Sequence, residues 1–288
     1  MNKEFNYSFI IPHKNCPDLL QRCVDSIPER EDVQIIVIDD NSDADKKPSI
    51  DRKGVEVILL DAEHSKGAGH ARNAGLEHAK GKWLLFADAD DYYKEGFLNV
   101  LDEYKDRDVS VVYFNFEYRD GSSGELLKPL VFRKDFDEYD GSEVARELVK
   151  FHHKVPWTKM IRKDYLMGYE IKFEEAINGN DIYFSMKVGY NTNNIIVEKR
   201  PLYVYLRNSN SLVTRKPTAE SAFCKLRHCV ELNSFYDYIK HPDWKCSATM
   251  MFFYFVKHAG CGFVLLTLRN ICHLYKRRNL IIQYVKSN

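Results

Sequence analysis

The chain has 288 residues, and its 42 basic and 42 acidic side chains leave no formal net charge at pH 7. This length can bury a substantial core, as one α/β domain with an appendage or as two domains. Because a neutral chain has no overall attraction to nucleic acid, we expect no nucleic-acid partner. Seven cysteines without a Cys-x-x-Cys pair indicate reduced, packed thiols and a cytoplasmic protein.

The sequence pattern shows neither a secretory signal nor a membrane span. Residues 1–6 lead directly into a strand-like run, without the long apolar stretch and cleavage site of a signal peptide. Lys257-His258 and Arg269-Asn270 divide the most apolar region into pieces too short to cross a bilayer. We therefore expect no spanning helix.

Strand-like and helix-like segments alternate in the first part of the chain. Short apolar, β-branched runs predict strands, and apolar residues at helical spacing predict helices between them. The predicted strands are Tyr7 to Ile11, Gln34 to Ile38, Val55 to Leu60 and Trp83 to Phe86, and the predicted helices open at Pro17 and span His70 to Ala79. This alternation favours a parallel, doubly wound sheet.

The alternation weakens in the rest of the chain. The predicted helices are Phe97 to Tyr104, Glu143 to Lys150, Asp181 to Val188 and Ala219 to Ile239, and the predicted strands are Val109 to Phe116, Ile195 to Val197 and Leu202 to Tyr205. From about Pro217 the pattern is helical and rich in aromatic residues and cysteines. We therefore predict an α/β domain over residues 1–215 and a helical C-terminal region over residues 216–288.

Carboxylates follow two of the predicted strands. Asp39-Asp40 ends one strand, Asp88-Ala89-Asp90-Asp91 ends another, and Asp181 precedes a helix. Because ligands of parallel sheets bind at the carboxyl ends of the strands, we expect these acids to converge on one site. Oxygen ligands of this kind suit Mg²⁺ or Mn²⁺ holding a phosphate. Taken alone, the Asp-x-Asp segment fits a solvated turn equally well.

Taken together, these segments resemble the family 2 glycosyltransferases, and the resemblance extends over residues 6 to 215. The matching segments, in chain order, are Phe9 to Asn15, Ile36 to Ser42, Ala71 to Leu76, Phe86 to Asp91, Trp157 to Lys163 and Gly179 to Phe184. The resemblance implies the GT-A fold, a Rossmann-like α/β architecture with a mixed, mainly parallel sheet flanked by helices, followed here by the helical C-terminal region.

The resemblance implies a nucleotide-sugar site. Its residues are Pro12, His13, Asn15, Asp40, Arg72, Asp88, Ala89 and Asp90. Asp40 would accept a hydrogen bond from uracil, Asp88 would bind the ribose or orient a metal's waters, and Asp90 would bind Mn²⁺ or Mg²⁺ directly. As alternatives, Asp40 satisfies turn amides and Arg72 is a surface arginine paired with a neighbouring acid. Asp91 either supports the metal site or caps the next helix.

The resemblance also implies an acceptor side. Asp181 matches the general base that removes the proton of the attacking hydroxyl in inverting transfer. Most relatives carry Glu-Asp here, whereas this chain has Asn180-Asp181, which keeps the base and removes a neighbouring charge. Trp157, Lys159 and Asn180 are expected to line the wall of the acceptor or donor pocket. The alternatives are a helix N-cap for Asp181, a core tryptophan and a solvated lysine.

These roles imply an inverting glycosyltransferase that moves a sugar from a UDP-sugar to a hydroxyl of a glycan, a lipid-linked glycan or a glycopolymer. Two other functions stay open. One is a catalytically inactive sugar-nucleotide-binding protein. The other is a sugar-phosphate nucleotidyltransferase, for which Lys66-Gly67-Ala68-Gly69 is a sparse phosphate loop.

The C-terminal region carries an apolar stripe with basic flanks. Apolar residues from Val264 to Tyr275 share one face of a predicted helix, beside Arg269, His273, Lys276 and Arg277. Such a helix can rest on the anionic inner face of the cell membrane, which would suit a lipid-linked acceptor. The alternative is packing within the protein or within a homo-oligomer.

Overall fold

The structure is a computed structural model that describes residues 4–128, 134–176, 179–208, 217–269 and 279–287. Its strands are β1 (Tyr7–His13), β2 (Val33–Asp39), β3 (Val55–Leu59), β4 (Trp83–Phe86), β5 (Tyr92–Tyr93), β6 (Val111–Asp120), β7 (Lys159–Arg162) and β8 (Ile195–Arg207). Its helices are α1 (Pro17–Asp25), α2 (Ala68–His78), α3 (Phe97–Asp102), α4 (Lys134–Asp137), α5 (Glu143–His152), α6 (Lys163–Gly168), α7 (Asn180–Tyr190), α8 (Ala219–Tyr238), α9 (Ala248–Arg269) and α10 (Leu280–Lys286). The strands form one sheet in the order β3-β2-β1-β4-β7-β6-β8-β5.

The first part of the chain forms the parallel half of this sheet. Strand β1 lies between β2 and β4, and β3 pairs with β2, all in parallel. Every residue of β2 and β4 is buried, which explains their apolar runs. Helix α2 packs closely on β1 at Gly75, where a Cβ would lie 2.5 Å from the side chain of Ile10. The predicted strands and helices of this half are confirmed.

The second half of the sheet is mixed. Strand β7 inserts between β4 and β6 and is antiparallel to both, whereas β6 and β8 are parallel. The strand Lys159–Arg162 was not predicted, because it is only four residues long and has a charged residue at each end. The two short strands predicted near residues 195 and 205 are one strand, β8, whose register against β6 shifts around Asn115. The predicted mixed, mainly parallel sheet is therefore confirmed.

The C-terminal helices pack on the α/β part of the chain. A second hydrophobic cluster joins Phe235 of α8 and Ile281 of α10 to Phe151 of α5 and Met186 of α7. The predicted boundary near residue 215 and the side chains of the predicted stripe from Val264 to Tyr275 lie outside the described residues. In the part of the chain that the structure describes, no helix has the length and apolar character needed to cross a membrane.

Candidate active site

The ends of β1 and β2 are held together by a buried hydrogen-bond network. His13 Nδ1 lies 2.8 Å from Asp39 Oδ1, and His13 Nε2 accepts the amide of Cys16 over 3.2 Å. This pairing fixes the ring with its proton on Nδ1. Ser42 Oγ donates to Asp39 Oδ1 over 2.5 Å and accepts the Asn15 amide over 2.9 Å. Asp39 and the His13 ring therefore shape the loop, and a nucleotide contact by His13 stays a prediction.

Asp40 directly follows β2 and contacts the loop that precedes α2. Its carboxylate accepts the amide of Gly67 and the ammonium of Lys14, each over 3.2 Å. Gly67, the N-cap of α2, has a positive φ of 89°, a backbone conformation that favours glycine. The amide that Asp40 accepts thus comes from Gly67, 27 residues later, and not from its own turn as in the alternative that we considered. A carboxylate retains capacity for a further donor. Uracil recognition by Asp40 stays a prediction.

Two further predicted donor residues flank this network. Pro12 is half-buried within β1, opposite Ile38 of β2. The exposed Asn15 has a φ of 58°, and its side-chain amide exchanges hydrogen bonds with the backbone and carboxylate of Asp43. Both residues lie at the carboxyl end of the parallel strands, which is the edge that we predicted for ligand binding.

The Asp-x-Asp segment follows β4 directly and contacts several distant elements. Asp88 Oδ1 accepts Arg72 Nη2 over 2.5 Å, and the Asp88 amide donates to the Tyr203 hydroxyl over 3.0 Å. Asp90 Oδ2 accepts Asn208 Nδ2 over 3.1 Å, and its carbonyl accepts Arg22 over 2.7 Å. The intervening Ala89 is buried. The segment is therefore held by hydrogen bonds with Arg72, Tyr203, Asn208 and Arg22.

Negative charge accumulates in this loop. Burial and then the Asp88 charge raise the pKa of Asp90, whereas the Asn208 hydrogen bond lowers it. Burial and then the charges of Asp90 and Asp88 raise the pKa of Asp91 well above its ordinary value. Carboxylates that hinder one another's ionisation in this way attract a cation.

Asp91 is completely buried and connects the Asp-x-Asp loop to β8 by hydrogen bonds. Its carboxylate accepts the Tyr203 hydroxyl over 3.0 Å and the Leu206 amide over 2.8 Å, both from β8. The N-cap of α3 is Gly96, so the capping role considered for Asp91 is wrong. Tyr203 and Asn208 were missed by sequence reasoning because no local pattern connects them to a loop more than 110 residues earlier.

Arg72 is a buried bridge between the two halves of the site. The residue is 5% exposed, so the surface arginine that we considered is wrong, although the pairing with an acid is present. Nη2 binds Asp88, Nη1 donates to Asn180 Oδ1 over 2.8 Å, and the guanidinium lies 5.3 Å from the ring centre of Phe173. Contact with a diphosphate stays a prediction.

Asp181 is the second residue of α7, directly after Asn180. The N-cap of this helix is Gly179 at a φ of 68°, so Asp181 is not the cap. Burial raises the pKa of Asp181, the Arg72 guanidinium lowers it and the Asp88 charge raises it. Asp181 and the Asp-x-Asp loop therefore lie within electrostatic reach of each other, as expected for one site.

Trp157 and Lys159 are both buried in the protein interior. Trp157 is 3% exposed and stacks on Tyr203, with ring centres 4.9 Å apart. Lys159 is 0% exposed, donates to the carbonyls of His153 and Val155, and has a pKa lowered to about 7 by burial. The core tryptophan is borne out and the solvated lysine is wrong. Neither side chain lines an open surface here, and their acceptor contacts stay predictions.

Comparison with known proteins identifies the family. The family model described as "Glycosyl transferase family 2" matches residues 8–169, more than half of the chain. Glycosyltransferase GlyG of Streptococcus pneumoniae serotype 4 is 26% identical over 220 residues, which cover 72% of each chain. Glycosyltransferase GlyA of the same organism is 25% identical over 217 residues, which cover 70% of this chain and 31% of GlyA. The chain thus spans about a third of that relative.

A solved structure has the same architecture. Residues 1–349 of S. aureus TarS, in complex with UDP-GlcNAc, align with a TM-score of 0.59 at 22% identity, covering 80% of this chain and 67% of that chain. This likeness confirms the predicted GT-A fold. The family match favours glycosyl transfer over nucleotidyl transfer. The chain therefore belongs to glycosyl transferase family 2.

Proposed function

We propose that this glycosyltransferase moves a sugar from a UDP-sugar to a hydroxyl of a glycan, a lipid-linked glycan or a glycopolymer, with inversion at the anomeric carbon. The observation that carries the proposal is the position of Arg72, whose guanidinium binds Asp88 on one side and Asn180, the neighbour of Asp181, on the other. This contact supports a single cleft with donor-binding acids opposite a base.

In the proposed reaction, Asp181 removes the proton of the acceptor hydroxyl. The hydroxyl oxygen then forms a bond to the anomeric carbon while the bond from that carbon to the UDP oxygen breaks. UDP departs from the opposite face of the sugar. Burial raises the pKa of Asp181, which makes its carboxylate a stronger base than an exposed aspartate.

Donor recognition is proposed at the strand ends. Asp40, at the buried end of β2, would accept the imide N–H of uracil, because a carboxylate discriminates a donor from an acceptor at that position. Asp88 would contact the ribose. The TarS neighbour was solved with UDP-GlcNAc and with UDP, which supports a UDP-sugar as donor for this chain.

The Asp-x-Asp loop fits a divalent cation. Burial, and after it the charge of Asp88, raises the pKa of Asp90. Among the described residues, no group of three or more His, Cys, Asp or Glu is arranged to hold a metal. A site with few protein ligands suits Mg²⁺ or Mn²⁺, which keep waters and phosphate oxygens as ligands. Bound through Asp90, such an ion would supply charge neutralisation for the departing diphosphate.

A thermal-shift panel of UDP-, GDP- and CMP-sugars with and without Mn²⁺ tests donor and metal together. At a hundredfold excess over Kd, a ligand stabilises the folded state by about 2.7 kcal/mol, which is a shift of several degrees. We expect a Mn²⁺-dependent shift with a UDP-sugar. Asp90→Asn should lose the Mn²⁺ dependence, and Asp45→Asn, at an exposed position, should keep it. A shift with GDP- or CMP-sugars alone would contradict the proposal.

A further inference from the structure

Asn73 makes a paired contact with the backbone of Phe173, one hundred residues later in the chain. Its Oδ1 accepts the Phe173 amide over 2.8 Å, and its Nδ2 donates to the Phe173 carbonyl over 3.0 Å. A side-chain amide presents a donor and an acceptor side by side, so it satisfies both backbone groups of one residue at once. Phe173 is itself buried, so loss of the Asn73 side chain would remove these hydrogen bonds from its amide and its carbonyl.

The same face of α2 contacts two further residues near Phe173, Glu174 and Asn180. Gly69, Arg72 and Asn73 are spaced so that they share one side of the helix. A Cβ on Gly69 would lie 2.1 Å from the carbonyl oxygen of Glu174, so only glycine allows this close approach. Arg72 binds the side chain of Asn180 over 2.8 Å. Helix α2 therefore contacts the chain at Phe173 and Glu174 and again at Asn180.

The residues that α2 anchors lie beside the start of the helix that carries the proposed base. The Glu174 amide donates to the carbonyl of Asn180, the first residue of α7, over 3.1 Å. The Phe173 ring stacks on Phe184 of α7, with ring centres 3.9 Å apart. A shift of the Phe173 backbone would thus move the first turns of the helix that carries Asp181.

We propose that Asn73 is a positioning residue, which holds Phe173 and Glu174 against the start of α7 and thereby sets the rate of sugar transfer without touching donor or acceptor. This inference rests on the proposed function, because it assumes that Asp181 is the base. Displacing a reacting group by about 1 Å can reduce a rate by about a hundredfold. Loss of the Asn73 contact therefore acts on kcat, while the nucleotide site around Asp40 keeps its own bonds to Lys14 and Gly67.

The test compares Asn73→Ala with Asn191→Ala in the intact chain. Asn191 lies at the other end of α7 and also donates from its side chain to two backbone carbonyls, those of Lys187 and Val285. We expect N73A to lower kcat by about tenfold to a hundredfold, with KM for the UDP-sugar and Kd for UDP unchanged within about twofold. N191A should lose thermal stability to a similar degree and keep its kcat.

Two results separate this inference from the proposed function. Asp181→Asn is measured in parallel; if it retains full transfer, the base assignment fails and the proposed function is at fault. If D181N is inactive while N73A has the same kcat as N191A, only the role of Asn73 is overturned. Should N73A not fold, Asn73→Asp takes its place, because it keeps the acceptor for the Phe173 amide and removes the donor to the carbonyl. A folded Asn73→Asp protein with wild-type kcat would overturn the inference equally.

Discussion

The hydroxyl of Tyr203 donates a hydrogen bond to the buried carboxylate of Asp91 over 3.0 Å. The same hydroxyl accepts the amide of Asp88, also over 3.0 Å. One side chain of β8 thus holds both ends of the Asp-x-Asp loop. Because the loop carries several carboxylates in a partly buried setting, its geometry depends on such neutral hydrogen-bond partners.

Tyr203→Phe should loosen this loop. The change removes one hydrogen-bond donor to Asp91 and leaves the Asp88 amide without its acceptor, which costs about 1 to 3 kcal/mol of unfolding free energy. We expect a melting temperature lower by several degrees and weaker Mn²⁺-dependent binding of UDP. Tyr205→Phe is the matched control, since Tyr205 stacks on the same Trp157 ring, with ring centres 5.4 Å apart. Equal Mn²⁺-dependent affinity in both variants would refute the role of the Tyr203 hydroxyl.

The dependence of transfer on pH should reveal the environment of Asp181. Only the ionised carboxylate accepts a proton, and burial raises its pKa above the ordinary value of 3.8. The rate should therefore fall, as pH decreases, at a higher pH than an exposed aspartate would give. Arg72→Met removes the guanidinium that lowers this pKa, so the acid limb of kcat should move to still higher pH. An acid limb that moves to lower pH in Arg72→Met would contradict this arrangement.

Cys246 should be the most reactive thiol among the cysteines that the structure describes. The hydrogen bond with the Cys229 thiol lowers the pKa of the exposed Cys246 to about 7, whereas burial raises the pKa of Cys16 to about 11. A larger thiolate fraction at neutral pH means faster alkylation. Peptide mass spectrometry after brief iodoacetamide treatment at pH 7 should find Cys246 modified first. Cys229→Ala should slow this labelling; an unchanged rate would count against the thiol pair.

The parallel half of the sheet was predictable from the sequence. Strands β1, β2 and β4 are buried on both faces, so burial imposes continuous apolar runs that mark them without further context. The carboxylates of Asp40 and Asp88 stand out because they end such runs. Cys246, by contrast, is exposed and not packed as we expected.

The rest of the site depends on contacts between distant residues. Lys159 looks like a surface residue in sequence, yet it is completely buried because two backbone carbonyls accept its ammonium. Asn73 and Tyr203 have no feature that marks their partners, which lie 100 and 112 residues away. Such contacts follow from how the mixed half of the sheet assembles, and short sequence patterns do not encode them.

The most direct test of the account is to measure UDP binding and sugar transfer together in Asp181→Asn. The substitution keeps the size of the side chain and removes its ability to take a proton. We expect wild-type affinity for UDP with Mn²⁺, and a transfer kcat lower by about a hundredfold to ten thousandfold, as is typical when a general base is lost. Transfer at the wild-type rate, with UDP binding intact, would contradict the assignment of Asp181 as the base.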